Sequence, residues 1–224
     1  MNWAFMLEML PHYVEAAKLT VRIGLIGVAG SLIVGLVLAF IRVEKVPVLN
    51  GITKAYIELS RNTPLLIQLF FLYFGLPKIG LVLSSEACAI TGLIFLGASY
   101  MAESFRSGLE AVSKGQIEAA KSIGLSKGAM LRHVVLPQAM AIAVPSIGAN
   151  MIFLLKETSV FSAVALADLM YVAKDLIGIY YETDEALLLL VLSYLVILVP
   201  VAVFFSLLER RLRYGIGRSA LSES

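Results

Sequence analysis

IGLIGVAGSLIVGLVLAFI, residues 23–41, is a run of 19 positions without a charge, bracketed by Arg22 and Arg42. A helix rises about 1.5 Å per residue, so the run matches the roughly 30 Å hydrocarbon core of a bilayer, where a helix satisfies its own backbone groups. It predicts a membrane-spanning helix. Outward from it, residues 62–77 and 87–102 are uncharged for 16 positions each, and residues 133–155 and 186–208 for 23 each. The two shorter stretches need residues beyond their flanking charges. Lys78 and Arg106 allow this by laying their alkyl stems along the helix and keeping the charge at the interface. Composition agrees: 59% of the 224 residues are hydrophobic and 15% charged, against about 45–50% and about 25% in soluble domains. The expected fold is all-α and polytopic, with about five transmembrane helices. It forms a single domain over residues 1–224, because no linker and no repeat divides the chain.

The 18 Lys and Arg against 16 Asp and Glu leave a net charge of +2, too balanced for a nucleic-acid binder. Their distribution carries more. Cytoplasmic connections retain basic residues, and here Arg42, Lys45, Lys54 and Arg61 fall in one connection, Arg106, Lys114, Lys121, Lys127 and Arg132 in another, and Arg210, Arg211, Arg213 and Arg218 in the tail. The opposite side has Lys18, Arg22, Lys78, Lys156 and Lys174. Five spans with this asymmetry put the N-terminus outside and the C-terminus in the cytoplasm. Glu8, His12 and Glu15 near the start do not read as a cleaved signal peptide, so the mature chain is expected to begin at or near Met1. The single Cys88 has no intrachain partner and reads as a packing residue.

Two spans carry further local signals. Gly27, Ser31, Gly35 and Ala39 recur every four residues, a small-residue stripe that lets helices approach closely, within the subunit or between subunits. Pro145 removes a backbone hydrogen bond inside the fourth span and should kink it.

The connection between the third and fourth spans begins SKGQIEAAKSIGLS, residues 113–126. Ser113 with Gln116 forms a capping box, in which hydroxyl and side-chain amide satisfy reciprocal helix-start amides. Gly124 is placed to end the helix in a left-handed turn, and Ser126 to cap the next one. The result is a helix of about ten residues, near 114–123, too short to be stable alone in water. Ile117, Ala120 and Ile123 share one side. Such a helix either docks in a partner's cleft or lies on the membrane surface with Lys114 and Lys121 at the headgroups.

Glu118-Ala119-Ala120, Gly124, Val134, Leu136 and Pro137 resemble the EAA signature of ABC importer permeases, a Glu-Ala-Ala-x3-Gly-x9-Ile-x-Leu-Pro pattern from which only Val134 departs. Further stretches are similar to the polar amino acid branch, the histidine, arginine, glutamine and glutamate permeases. They are RNTPLLIQ (residues 61–68), YFGLP (73–77), SYMAE (99–103) with Arg106 and Gly108, Gly115-Gln116, LPQA (136–139) and LKETS (155–159). The resemblance implies a type I ABC importer permease fold in the bacterial inner (cytoplasmic) membrane, surrounded by lipid. In that family the helix is the coupling helix that docks on an ATPase subunit, with Gln116, Glu118, Ala119, Ala120, Gly124, Leu136 and Pro137 as the coupling segment. It implies ABC ATPase subunits that carry the ATP and Mg, no cofactor in this chain, and a second permease subunit in a homo- or heterodimer. It also implies an extracytoplasmic solute-binding protein and an amino acid substrate.

Several residues are candidates for the substrate pathway. Glu103 lies within a span and either faces an aqueous cavity or pairs with Arg106. Gln68 is the one strongly polar side chain of its span and either bonds a neighbouring helix or lines the path. Lys156, Glu157 and Thr158 offer a cation, an anion and a hydroxyl, which suits a zwitterion. The resemblance adds Arg61 and Thr63. Catalysis on the substrate is not expected: there is no His-Glu-x-x-His, no Gly-x-Ser-x-Gly and no Gly-x4-Gly-Lys-Ser/Thr phosphate loop, so an ATPase would be another chain. An ATP-independent channel, an intramembrane enzyme or an importer of another small polar solute are the competing readings. The coupling signature opposes the first, and the lack of a nucleophile–base or metal constellation opposes the second.

Overall fold

The computed structural model describes the backbone of residues 1–221 and side chains to residue 212; Arg213, Arg218 and the end of the tail lie outside the described side chains. Nine α-helices are described. Helix α1 spans Trp3–Val43 and starts where Asn2 accepts the Phe5 amide at 3.1 Å. Its 41 residues make it longer than a bilayer is thick. The surplus is packed. Phe5, Met6, Met9 and Tyr13 bury against Leu169, Ala173 and Leu176 of α8 (Leu169–Tyr180) and Ala186 of α9 (Thr183–Leu221), and the Tyr13 hydroxyl donates to the Ala186 carbonyl at 2.7 Å. The connection before the last span, which carries Glu157, Asp168, Asp175, Glu182, Asp184 and Glu185, therefore contains the packed helix α8.

The small-residue stripe of α1 faces α4 (Ser85–Glu110) inside the subunit. A Cβ at Gly35 would lie 2.6 Å from the Met101 Cβ and 3.0 Å from the Ala98 carbonyl, while Ser31 reaches across to the Leu93 carbonyl at 3.2 Å. On its other side α4 meets α7 (Leu136–Glu157), where Gly108 sits against the Ala139 carbonyl, 2.5 Å from where its Cβ would be. A polar chain ties the same pair: Ser104 Oγ and Ser146 Oγ are 2.7 Å apart, and Asn150 Nδ2 donates to Ser104 at 2.8 Å. Ile23, Leu65, Leu69, Leu93, Met101, Leu154 and Phe161 form the core between these helices.

Four helical stretches among the described residues are long and apolar enough to cross a membrane: Trp3–Val43, Ser85–Glu110, Lys127–Val164 and Thr183–Leu212. The expected span at residues 62–77 is a shorter apolar helix, Leu65–Ile79. It does not stand alone. The preceding segment, expected as an inner connection, is the helix α2 (Leu49–Arg61), whose Tyr56 and Ser60 hydroxyls donate to the Phe95 carbonyl at 2.6 and 2.8 Å. Phe95 lies near the middle of α4, and the next helix, α3 (Leu65–Phe70), packs Leu65 and Leu69 on Gly92. Helices α2 and α3 together thus run along α4 as one discontinuous element broken at residues 62–64. Arg61 sits at this break, at the level of Tyr100 within α4, and not in a connection at the end of the bundle as expected.

Proline explains the irregular turns. Pro77 and Pro137 each lack the amide that would bond the carbonyl four residues back. In both places the chain widens into a π-turn just before the Leu-Pro pair, Phe71–Gly75 and Leu131–Val135, and the leucine amide reaches back five residues, Leu76 to Phe71 and Leu136 to Leu131.

Candidate functional site

The break between α2 and α3 is dictated by its sequence. Pro64 disfavours the α conformation at Thr63 and itself adopts φ −58° and ψ 141°, so the helix ends and restarts. Ending a helix leaves carbonyls without partners, and inside an apolar environment each must find one. Here side chains supply the donors. Asn62 Nδ2 donates to the Glu58 carbonyl at 2.7 Å, Thr63 Oγ1 to Leu59 at 2.8 Å, and Gln68 Nε2 to Ser60 and Thr63 at 3.1 and 3.0 Å.

A cavity of about 330 Å³ opens at the break, lined by Arg61, Asn62, Thr63, Pro64, Leu65 and Leu66 from this element and by Leu96, Tyr100, Phe153, Glu157 and Val160. Irregular backbone at membrane depth is tolerated where it lines such a cavity, and broken spans commonly frame binding sites. The Arg61 guanidinium stacks 4.9 Å from the Tyr100 ring centroid. Glu157 is half-buried and has no hydrogen bond or ion pair among the described residues. One cation and one anion therefore face a common space without neutralising each other. A larger cleft of about 450 Å³, bounded by Leu59, Ile67, Phe71 and Phe95, has no charged lining among the described residues and offers an ionic ligand no partner there.

The other pathway candidates go elsewhere. Thr63 lines the cavity while its hydroxyl caps α2. Gln68 is buried and holds the α2 end, the helix-bonding alternative. Glu103 pairs with Arg106 at 2.6 Å, and Arg106 also bonds Glu110. Lys156 is exposed and outside the cavity lining. Thr158 is buried, donates to the Leu155 carbonyl at 2.7 Å and lies 3.4 Å from the Tyr194 hydroxyl. The side chains of Lys156, Glu157 and Thr158 therefore do not face one common space, because successive residues of a helical turn point to different sides. Residues missed in the sequence are Tyr100 and Asn62; the Asn62-Thr63-Pro64 breaker inside an apolar run was the available signal.

A second candidate region lies at the end of the bundle where α4 ends. Helix α5 spans Lys114–Ser122, with Ser113 Oγ accepting the Gln116 amide at 3.3 Å. Only half the capping box forms: the Gln116 side chain turns instead to Gln138 Nε2 at the start of α7, at 2.5 Å, tying α5 to a membrane-spanning helix. Gly124 adopts φ +77°, and the Leu125 amide closes the turn on the Ala120 carbonyl at 3.2 Å. Ser126 caps the short α6 (Lys127–Met130) by accepting the Ala129 amide. The expected Ile117, Ala120 and Ile123 face divides. Ala120 is buried against its own chain, whereas Ile123 is 77% exposed, beside exposed Glu118, Ala119, Lys121 and Ser122. Leu136 and Pro137 form the π-turned entry to α7.

Long apolar helices around a polar break, with a short exposed helix joined to one span, are the architecture of a multi-pass membrane protein. The chain belongs to the binding-protein-dependent transport system inner membrane component family, whose model matches residues 31–214. It is therefore an inner-membrane permease subunit of the ABC importer type. It is 34% identical over 212 residues to the probable glutamine ABC transporter permease protein GlnM of Bacillus subtilis, covering 95% of this chain and 98% of that one. With the glutamine transport system permease protein GlnP of Escherichia coli K12 it shares 29% identity over 214 residues, 95% and 98% of the two chains. A solved amino acid ABC transporter, crystallised with histidines, superposes with a TM-score of 0.87 at 29% identity over 94% of this chain and 99% of that one. The methionine ABC transporter MetNI, at 22% identity and TM-score 0.71 over 95% and 99%, shares the fold.

Proposed function

We propose that this subunit moves polar amino acids inward through the cavity at the α2–α3 break, driven by ABC ATPase subunits that bind α5 and supply the ATP and Mg site. A second permease subunit completes the pathway, and an extracytoplasmic solute-binding protein delivers the amino acid. The N-terminus lies outside and the C-terminus in the cytoplasm. The observation that carries the substrate reading is the pairing of Arg61 and Glu157 across one cavity without a bond between them. A zwitterion presents a carboxylate that the planar guanidinium receives bidentately and an ammonium that the carboxylate receives. The relatives' printed substrates, glutamine and amino acids, support the same class.

The test is uptake into proteoliposomes holding the assembled transporter and its binding protein. Arg61→Met and Glu157→Gln should each reduce uptake about tenfold or more, since losing one charged hydrogen bond is worth about 1.5–3 kcal/mol. ATP binding and binding-protein affinity should be unchanged. Lys156→Met, outside the cavity, should transport normally. Normal uptake by both cavity variants would remove the site from the pathway.

A further inference from the structure

The fixed charges around the cavity sum to zero. Among the described residues Arg61 and Glu157 are its only charged lining residues; Glu103 is taken up by Arg106, and Lys156 is exposed outside the lining. An amino acid head group held as proposed uses both charges, leaving Asn62, Thr63 and Tyr100 among Leu65, Leu66, Leu96, Phe153 and Val160 for the side chain. The Thr63 donor and one of the two Asn62 amide hydrogens are used on the α2 carbonyls, but the second Asn62 hydrogen remains to donate, Asn62 Oδ1 and Thr63 Oγ1 keep acceptor capacity, and the Tyr100 hydroxyl can both donate and accept. An amide or hydroxyl side chain finds partners in this set. An ammonium, guanidinium or carboxylate finds no counter-ion left in this lining, because Arg61 and Glu157 are already engaged by the head group, and its charge stays unpaired beside one of like sign. At about 330 Å³ the cavity is at the small end of ligand sites.

We infer that the permease itself discriminates by charge, accepting amino acids of net charge zero with an uncharged hydrogen-bonding side chain and excluding basic and acidic ones. The inference rests on reading the cavity as the substrate site, and goes beyond it by naming the class admitted.

The experiment uses the purified permease–ATPase complex without its binding protein, so that selectivity belongs to the membrane subunit. Equilibrium binding of radiolabelled L-glutamine is measured in competition with L-asparagine, L-arginine and L-glutamate. Asparagine should displace glutamine, and arginine and glutamate should be at least tenfold weaker. In Leu66→Glu, which adds a carboxylate to the lining without touching the caps of the break, arginine should overtake glutamine. Equal displacement by arginine or glutamate in the wild-type complex overturns charge selection while leaving the cavity reading intact. Glutamine binding that survives Arg61→Met unchanged, or no binding of any of the four, overturns the cavity reading and this inference with it.

Discussion

Asp168 caps α8 with one carboxylate oxygen, which accepts the Tyr171 amide at 2.9 Å, and leaves the other, Oδ2, buried without a hydrogen-bond partner. Burial raises its pKa from 3.8 to about 6, against the opposing pull of the helix-start amides and Lys174. Because the folded pKa is the higher, the group's contribution to stability is fully present below about pH 4 and is lost as pH rises through about 6. Asp168→Asn keeps the cap and cannot ionise. The purified variant should melt a few degrees above wild type at pH 7.5, with a ceiling of about 3 kcal/mol, and converge with wild type near pH 4. A constant difference across that range would show that ionisation is not the cause. None of this is visible in the sequence, where Asp168 is one acid among Asp175, Glu182, Asp184 and Glu185. Its burial is a product of tertiary packing against α1, where Thr20 accepts the Leu169 amide at 3.3 Å.

At the scale of elements, what could be read early was what local chemistry fixes. Ser113, Gly124 and Ser126 delimit α5 by capping and left-handed geometry, and the structure departs from the expected end by one residue. The α2–α3 break was harder, because hydropathy stops a span at a charge and so splits a discontinuous helix at Arg61. Its signal was distributed: a breaker at residues 62–64 and, several residues on, Gln68 as the donor for the carbonyls that the break releases. Helix α8 was obscured by acidic residues, although Asp168 as a cap and the spacing of Leu169, Ala173 and Leu176 mark it. The α5 geometry yields a test with internal controls. A Cβ at Gly115, Gly124 or Gly128 would meet nothing within 4 Å, but only Gly124 has positive φ. Alanine at Gly124 should therefore cost about 1 kcal/mol or more of backbone strain and re-aim α5, whereas Gly115→Ala and Gly128→Ala introduce no such strain. Transport and substrate-stimulated ATP hydrolysis should fall together in Gly124→Ala alone, at normal membrane levels. Equal loss in all three would point to a crowded docking surface rather than helix direction.

For the whole molecule, orientation follows from which ends of the bundle carry which charges. Taking Arg61 out of the connections leaves Arg42, Lys45 and Lys54 near one end of the bundle, together with Arg106, Lys114, Lys121, Lys127 and Arg132. The opposite end holds the α1–α8–α9 cluster and the Arg22–Glu86 ion pair at 2.6 Å, which joins α1 to the start of α4. The asymmetry remains with Arg61 set aside, because basic residues near span ends set topology, whereas a charge inside a cavity does not. Between the two ends, α9 exposes Val191, Leu195, Val196, Val203, Phe204 and Leu207, an apolar face that suits lipid or another membrane helix and not water. The chain offers a clean background for measuring the orientation, since its only cysteine, Cys88, is fully buried. Asp175 on α8 and Lys121 on α5 are both exposed, so either can be replaced by cysteine without disturbing packing. In sealed spheroplasts a membrane-impermeant maleimide should label Asp175→Cys at once and Lys121→Cys only after permeabilisation, with wild type unlabelled in both conditions. The reverse pattern would put α5 outside the cell, where no ATPase could reach it, and coupling through that helix would be ruled out along with the orientation.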